Sequence, residues 1–269
     1  MSPSLTRLCE AERFGRGGSI EMKYLKLSYN IAKGMPLYPG TPGVRIEPFR
    51  QIKAGDAYNT YMFTMQNHTG THVDAPRHFW DNGRSLADYS LDELEFKRPL
   101  IVDCPRKEGE IIGANEIASS LALLGTRNDE EKEAPRNDSK GRNPINDVFD
   151  VLLIRTGFGA KRETDIRAYR YENPCISPDA AEWIRKNLPA LGAIGVDCIS
   201  IASKANAGLG RDAHRILLGE GVFKGLPLLI IEDMRIPAGL KKLDRLLVTP
   251  LFIDGVDSSP CTITGIVND

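Results

Sequence analysis

The 269-residue chain has few histidines and no paired cysteine motif. Its five cysteines are scattered and no C-x-x-C occurs, which argues against a disulfide framework and against a cysteine-rich zinc site. Lysine plus arginine total 35 and aspartate plus glutamate total 36. A net charge of −1 gives no basis for expecting a nucleic-acid or anionic-membrane partner.

Long apolar runs are also missing. No run approaches the roughly 18–20 residues that a membrane helix needs. The N-terminal residues 1–21 contain no apolar core of the kind that a signal peptide requires. We therefore expect a cytoplasmic protein, and a hydrophobic fraction of 41% is ordinary for a soluble globular domain.

One domain with two polar appendages is the expected organisation. Residues 1–21 lack periodicity and predict a loose extension, with Met22 as a candidate natural first residue. Residues 22–269 then form a single domain. Within it, residues 126–147 are charged and almost free of large apolar side chains, which predicts a solvated insert; a binding arm is the alternative.

Strand patterns outnumber helical ones along the domain. Helices are predicted within 105–125, 177–189 and 210–221, with Ser177 as N-cap and Pro178 in the first turn of the second. This balance predicts an α/β or α+β fold around a mixed sheet. The predicted strands lie within residues 24–31, 58–66, 98–104, 148–159, 191–202, 225–234, 245–253 and 261–267.

The histidines are concentrated in one segment. Three of the four, His68, His72 and His78, lie within eleven residues together with Asp74. On a helix, His68 and His72 would share a face but Asp74 would point elsewhere. In an extended chain, side chains alternate, so His68, Gly70, His72 and Asp74 would face one side. The Thr- and Gly-rich sequence favours the extended interpretation.

Two imidazoles and a carboxylate form a ligand set suited to Zn²⁺, Mn²⁺ or Fe²⁺. Three protein ligands leave a coordination position for water, and a bound metal lowers the pKa of that water to about 7. Pro76 ends the regular strand, and His78 follows as either a fourth ligand or a base. The alternative interpretation is a cluster of exposed histidines in a loop.

The segment "HTGTHVDAPRHF" resembles the signature of the family called putative cyclases, which includes bacterial kynurenine formamidases and isatin hydrolases. The family pattern H-x-G-T-H-x-D-x-P-x-H is matched throughout residues 68–78. "PLYPG", "VLLIRTGF", "ISPDAAEWI", "GAIGVDCISI" and "AHRILL" also resemble family segments, in the family order. The resemblance implies a swivelling β/α/β-type fold, usually as a homodimer or larger oligomer.

The resemblance implies a role for each motif residue. His68, His72 and Asp74 correspond to the ligands of one metal, and Asp74 also bridges to a second metal. His78 corresponds to the proton donor and acceptor. One or two divalent ions per chain are therefore expected, with Zn²⁺ first and Mn²⁺ as the alternative.

The second metal implied by the resemblance needs ligands from later in the chain. His214 is the one remaining histidine, and Glu232 corresponds to the bridging glutamate. Glu220 and Asp233 are fallback candidates, because the spacer before Glu232 is longer than in small formamidases. A carboxylate at the end of an apolar strand, as at Glu232, makes sense mainly when it faces a cation.

Substrate contacts are expected from three aromatic residues. Tyr38 stands where family formamidases have a tryptophan before Pro-Gly, and Phe79 and Trp80 follow the motif. For Phe79 and Trp80, ordinary packing near the motif is the alternative. The function expected is hydrolysis of a small amide, similar to that of an arylformamidase. The alternatives are ring-opening of a cyclic amide or lactone, as in isatin hydrolases, and a metal-binding protein without turnover.

Overall fold

The computed structural model describes residues 22–127, 149–219 and 226–268. The predicted extension 1–21 and all but the start of the predicted insert lie outside these ranges. No helix within them is long and apolar enough to span a membrane.

The strands are β1 (Met22–Lys26), β2 (Arg45–Arg50), β3 (Thr60–Thr64), β4 (His72–Asp74), β5 (Glu95–Phe96), β6 (Pro99–Asp103), β7 (Ile111–Ile112), β8 (Val151–Arg155), β9 (Cys175–Ile176), β10 (Ala193–Val196), β11 (Leu229–Glu232), β12 (Arg245–Pro250) and β13 (Ser258–Asn268). The α-helices are α1 (Ala114–Arg127), α2 (Lys161–Thr164), α3 (Ile166–Tyr171), α4 (Pro178–Asn187) and α5 (Ala207–Leu218), and short 3₁₀ helices cover Ile52–Ala54, Pro76–His78, Leu86–Asp88, Leu91–Leu94 and Phe158–Ala160.

A nine-stranded mixed sheet organises the described part of the chain. Its order is β5-β12-β13-β4-β11-β10-β8-β6, and β1 also pairs with β13. The β6, β8, β10 and β11 strands run parallel to their neighbours in that group. Pairings that involve β4, β12 or β13 are antiparallel. The predicted α/β class with a mixed, strand-rich sheet is confirmed.

The central strands are buried on both faces. Every residue of β8 is buried, and successive side chains enter opposite layers. Leu152 and Ile154 pack with α1, α4 and α5, whereas Leu153 packs in the second layer with Ile231 and Val73. The apolar run predicted as a buried strand is therefore a centre strand of a sheet covered on both sides.

The best-predicted helix is α4. The Ser177 hydroxyl accepts a hydrogen bond from the Ala180 N–H, and Pro178 occupies the first helical position. Ala181 and Ile184 are fully buried in the helix-side layer. N-cap, proline and apolar spacing all agree here, which explains why the prediction was accurate. Helix α1 continues through Arg127, two residues into the predicted insert.

The three-residue strand β4 lies between β11 and β13. Its register places His72 opposite Glu232 of β11 and Asp74 opposite Ser258 of β13. Because side chains alternate along a strand, His72 and Asp74 face one layer while Val73 enters the other. The pairing thus carries the histidine motif into the middle of the main sheet.

A separate hairpin is formed by β2 and β3. It is a two-stranded ribbon outside the main sheet. The consecutive residues Tyr61, Met62 and Phe63 are each about 60% exposed, and Phe49 is 67% exposed. Since neighbouring residues point to opposite faces, both faces of the β2–β3 hairpin present apolar surface to solvent.

Candidate metal centre and active site

The motif backbone differs from a regular strand. Only His72–Asp74 is a strand, and Gly70 has a φ of +67°. The expectation of an extended segment from His68 to Asp74 is therefore wrong at Gly70. A left-handed residue interrupts the alternation, and glycine tolerates this conformation without a steric penalty. The motif histidines converge because the chain turns at Gly70.

The motif side chains nevertheless meet. His68 Nδ1 lies 3.0 Å from Asp74 Oδ1, and His72 Nε2 lies 3.5 Å from the same oxygen. Asp74 is 1% exposed and His72 is 5% exposed. The exposed histidine loop considered as an alternative is thus not what the chain forms.

The later residues join this group from α5 and β11. His214 Nε2 lies 3.2 Å from Glu232 Oε1 and 4.0 Å from Asp74 Oδ2. Glu232 Oε2 lies 3.4 Å from His72 Nε2. Glu232 Oε1 also accepts hydrogen bonds from the Ser200 hydroxyl and from the Ile201 N–H, both at 2.8 Å. Strand pairing and helix packing bring all five predicted metal ligands together.

His78 extends from the 3₁₀ helix Pro76–His78 to a residue that sequence reasoning missed. Its Nδ1–H donates to Asp257 Oδ2 at 2.7 Å, and His68 Nε2 lies 2.9 Å from the same oxygen. The side-chain amide of Asn67 donates to Asp257 Oδ1 at 2.6 Å. Asp257 is held there because its carbonyl accepts the Ala75 N–H, just before β13 pairs with β4.

The clustered charges stabilise one another. Burial opposes protonation of His68, but Asp74 and Asp257 outweigh burial and raise the pKa of His68 to about 10. Burial alone would raise the pKa of Glu232, yet hydrogen bonds with His214 and His72 lower it to about 2. The pKa of Asp74 is likewise lowered by His68 and His72 against the effect of burial. The carboxylates are therefore ionised and held by positive charge.

The residues present fit a divalent cation. Asp74 Oδ1 is buried and accepts no well-directed hydrogen bond although two imidazole nitrogens lie within 3.5 Å of it. His72 and His214 each donate Nδ1–H to a backbone carbonyl, of Gly70 and Gly210 respectively, both at 2.7 Å. Their Nε2 atoms consequently face the carboxylates, as in metal sites where a second acceptor orients the imidazole.

Ligand atoms fall into two groups that share Asp74. Atoms of His68, Asp74 and His78 lie within 4.8 Å of one another, and so do atoms of His72, Asp74 and Glu232. The first group includes His78, which sequence reasoning left open as ligand or base before the family resemblance favoured the base. The shared carboxylate is suited to one ion or to a bridged pair.

A cavity of about 370 Å³ opens onto this cluster. Tyr38 and Phe79, two of the expected substrate contacts, line it. The Phe79 ring stacks on His214 with centroids 5.3 Å apart, and burial followed by the charge of Glu232 raises the pKa of Tyr38. Trp80 is 41% exposed, is absent from the cavity lining, and its ring lies beside Gly219.

The fallback ligands do not replace Glu232. Both oxygens of Asp233 bond Arg162, at 2.9 and 3.0 Å, and the Tyr169 hydroxyl donates to one of them. Asp233 is thus committed to a buried ion pair. Glu220 lies outside the residues that the structure describes.

The sequence model that describes the putative cyclase family matches residues 25–203 of the chain. The chain belongs to this family. The match covers the histidine motif and three of the four parallel strands, β6, β8 and β10, and the resemblance noted in the sequence is confirmed.

Two relatives are similar to the chain, one of them over more residues than the family match. Cyclase-like protein 1 of Arabidopsis thaliana is 24% identical over 245 residues, 88% of this chain and 82% of that protein. Kynurenine formamidase of Erythrobacter litoralis is 33% identical over 85 residues, which are 32% of this chain and 39% of that enzyme.

Solved structures share the fold. Isatin hydrolase A from Labrenzia aggregata has a TM-score of 0.69 at 17% identity, covering 92% of this chain and 94% of that one. A structure described as a potential metal-dependent hydrolase with cyclase activity has a TM-score of 0.64 at 21% identity, covering 93% and 100%. The fold is thus that of the cyclase-family metal-dependent hydrolases.

Proposed function

We propose that this protein hydrolyses a small amide with a divalent metal ion, as an arylformamidase does. The observation that carries the proposal is the convergence of five side chains in the lining of a cavity of about 370 Å³: His68, His72, Asp74, His214 and Glu232. Kynurenine formamidase among the relatives supports the choice of reaction. Zn²⁺ is the expected ion, and Mn²⁺ is the alternative.

The ion supplies electrophilic chemistry when bound: it polarises a carbonyl and lowers the pKa of a water molecule. His68, His72 and Asp74 would hold it. His214 and Glu232 would hold a second ion, with Asp74 shared between the two.

His78 is proposed to move the protons. Its Nδ1–H is bound to Asp257, which leaves Nε2 without a partner among the described residues. An imidazole oriented in this way accepts a proton from the attacking water and returns one to the leaving nitrogen. Asp257 fixes the tautomer and the ring orientation, as a carboxylate does for other catalytic histidines.

The cavity walls suit a flat, partly apolar substrate. Phe79 stacks on His214, and Tyr38 contributes a phenol whose pKa is raised by burial and by the charge of Glu232. Leu37 and Ile199 add aliphatic surface. An aryl group is the expected partner for such walls, because aromatic side chains and flat rings bury large areas against each other.

The test combines metal content with turnover. Metal per chain is measured by elemental mass spectrometry on protein prepared without added metal, and hydrolysis is followed for formanilide, isatin and simple esters. Formanilide hydrolysis that is lost on chelation and restored by Zn²⁺ or Mn²⁺ supports the proposal. Isatin hydrolysis without formamide hydrolysis favours the ring-opening alternative. Metal binding with no turnover on any probe favours a non-catalytic metal protein.

A further inference from the structure

Asp233 has a backbone conformation that is uncommon for a residue with a side chain. Its φ is +52°, the only positive φ of a non-glycine residue in the part of the chain that the structure describes. Asp233 directly follows the proposed ligand Glu232, lines the cavity and is 1% exposed. Residues in such conformations persist only where their surroundings fix them, and they are concentrated at functional sites. The contacts of Asp233 show what enforces this conformation.

A buried ion pair holds the Asp233 side chain. Its two carboxylate oxygens accept hydrogen bonds from Arg162 at 2.9 and 3.0 Å, and the hydroxyl of the buried Tyr169 donates to one of them. The Arg162 side chain is 9% exposed, and its guanidinium lies 3.8 Å from the centroid of the Tyr29 ring. Both oxygens of Asp233 are thus fixed by groups that are themselves packed in place.

The left-handed residue changes the direction of the chain immediately after β11. The Asp233 N–H donates to the Cys198 carbonyl at 2.8 Å, and the next N–H, of Met234, donates to the Val196 carbonyl at 3.0 Å. Neighbouring N–H groups of a regular strand point to opposite sides, so the chain beside the strand does not receive both. The turn at Asp233 therefore ends β11 at Glu232 and fastens the end of the strand to the segment that follows β10.

The carbonyl of Asp233 contacts the histidine motif. It accepts a hydrogen bond from the Thr71 hydroxyl at 2.6 Å, and Thr71 immediately precedes His72. His72 lies opposite Glu232 in the pairing of β4 with β11, and Glu232 Oε2 is 3.4 Å from His72 Nε2. One residue thus joins the two segments that carry these ligands.

We propose that Asp233 is a positioning residue of the metal centre: its ion pair with Arg162 enforces the left-handed turn, and the turn sets Glu232 against His72 before a metal ion binds. This inference rests on the metal centre of the proposed function. A glycine at this position would adopt the turn without a steric penalty but would not enforce it, because it has no side chain for Arg162 to hold. An alanine would neither enforce the turn nor adopt it readily.

The test compares two double variants that remove the same ion pair, Arg162→Met with Asp233→Gly and Arg162→Met with Asp233→Ala. Replacing both partners of a buried ion pair avoids the larger damage of leaving one charge unpaired. Zn²⁺ affinity is measured by competition with a chromogenic chelator, on full-length apo-protein that urea unfolding shows to be folded. We expect the Asp233→Ala combination to bind Zn²⁺ about 10- to 100-fold more weakly than the wild-type chain, as when other groups that orient metal ligands are lost. The Asp233→Gly combination should lie between the two.

The same replacements at a second ion pair, Arg155→Met with Asp103→Ala, are the matched control. The Arg155 side chain is 9% exposed, as is that of Arg162, and neither Arg155 nor Asp103 lines the cavity. This variant should be less stable to urea and should bind Zn²⁺ as the wild-type chain does, because a purely structural ion pair does not act on the affinity of folded protein.

Wild-type Zn²⁺ affinity in both Asp233 combinations would overturn the inference. An equal loss of affinity in the two would also overturn it, because the left-handed turn would then not be the cause. Failure of the proposed function is recognised separately, as a wild-type chain that binds Zn²⁺ but hydrolyses no amide, and the variant affinities still test Asp233 in that case. A wild-type chain that binds neither Zn²⁺ nor Mn²⁺ would refute both proposals.

Discussion

At the scale of single residues, Asp257 links the metal-binding and proton-transfer parts of the site. One of its oxygens contacts both His68 and His78. We expect Asp257→Asn to lower kcat by about 10- to 100-fold with little change in KM, because the neutral amide oxygen orients the His78 imidazole less strongly than the carboxylate does. Steady-state kinetics with metal analysis check this, and the exposed Asp254→Asn is the control. Unchanged kcat at full metal content would remove Asp257 from the mechanism.

The different roles proposed for His78 and His72 give a second prediction at the scale of residues. His78→Gln should retain metal while turnover falls by about 10²–10⁴-fold, because proton transfer is lost. His72→Gln should lose metal and activity together, because its Nε2 is directed at Asp74 and Glu232. Elemental analysis and initial rates on the same preparations distinguish the two. A His78 variant that loses its metal would make this histidine a ligand.

At the scale of elements, the position of α5 depends on a close approach. A Cβ at Gly210 would lie 2.3 Å from Cβ and 2.5 Å from Cα of Ala202, in the loop that carries the Glu232 partners Ser200 and Ile201. Gly210→Ala should therefore displace α5 and weaken metal retention, although alanine favours helix by about 1 kcal/mol. Competition with a chelator measures the retention.

Gly208→Ala is the matched control for this prediction. Gly208 lies in the same helix and has no atom within 4 Å of a built Cβ. Its replacement should leave metal retention unchanged and raise stability by about 0.5–1 kcal/mol in urea unfolding. Equal metal retention in the two variants would mean that the contact of α5 with Ala202 does not position His214.

Element-scale prediction from sequence succeeded where local signals agreed. Strand β8 was recognised from its continuous apolar run, and helix α4 from its N-cap Ser177, from Pro178 and from its apolar spacing. Strand β2 was missed because Pro48 and charged residues interrupt its pattern, as an edge ribbon permits. Trp80 was expected at the cavity, but only its neighbour Phe79 lines the cavity, and the Trp80 ring lies beside Gly219.

The residues of the candidate site likewise differ in how far the local sequence predicts them. The metal ligands were predictable because metal chemistry restricts the types of residue that can serve, and the family motif gives their positions in the sequence. Asp257 and the cavity-lining Arg211 were not predicted from the sequence. An aspartate before a strand and an arginine on a helix are common on protein surfaces, so neither residue type points to a site. Only the pairing of β4 with β13 and the packing of α5 give these two residues their positions.

At the scale of the whole molecule, the β2–β3 hairpin carries apolar side chains that the other described residues leave exposed. An isolated two-stranded ribbon is marginally stable in water, and this one exposes Tyr61, Met62 and Phe63 on its two faces. Aromatic residues and methionine are enriched at protein interfaces. We propose that a second copy of the chain covers the hairpin, in line with the homodimer expected from the family.

Light scattering after size-exclusion chromatography tests the dimer. The wild-type chain should have twice the monomer mass, and Tyr61→Ser combined with Phe63→Ser should shift it toward the monomer. Leu91→Ser removes another exposed apolar side chain, 71% exposed and outside the hairpin, as the control. A wild-type monomer, or a dimer that the double variant leaves intact, would contradict the proposal.

The placement of β4 between β11 and β13 has a consequence for synthesis of the protein. His72 pairs with a residue about 160 positions later, and Asp74 with one about 180 positions later. A nascent chain that has displayed the whole histidine motif still lacks both flanking strands, so the carboxylates and imidazoles cannot yet converge. Assembly of the ligand cluster therefore awaits synthesis of β13, because β4 takes its place in the sheet only when both flanking strands are present.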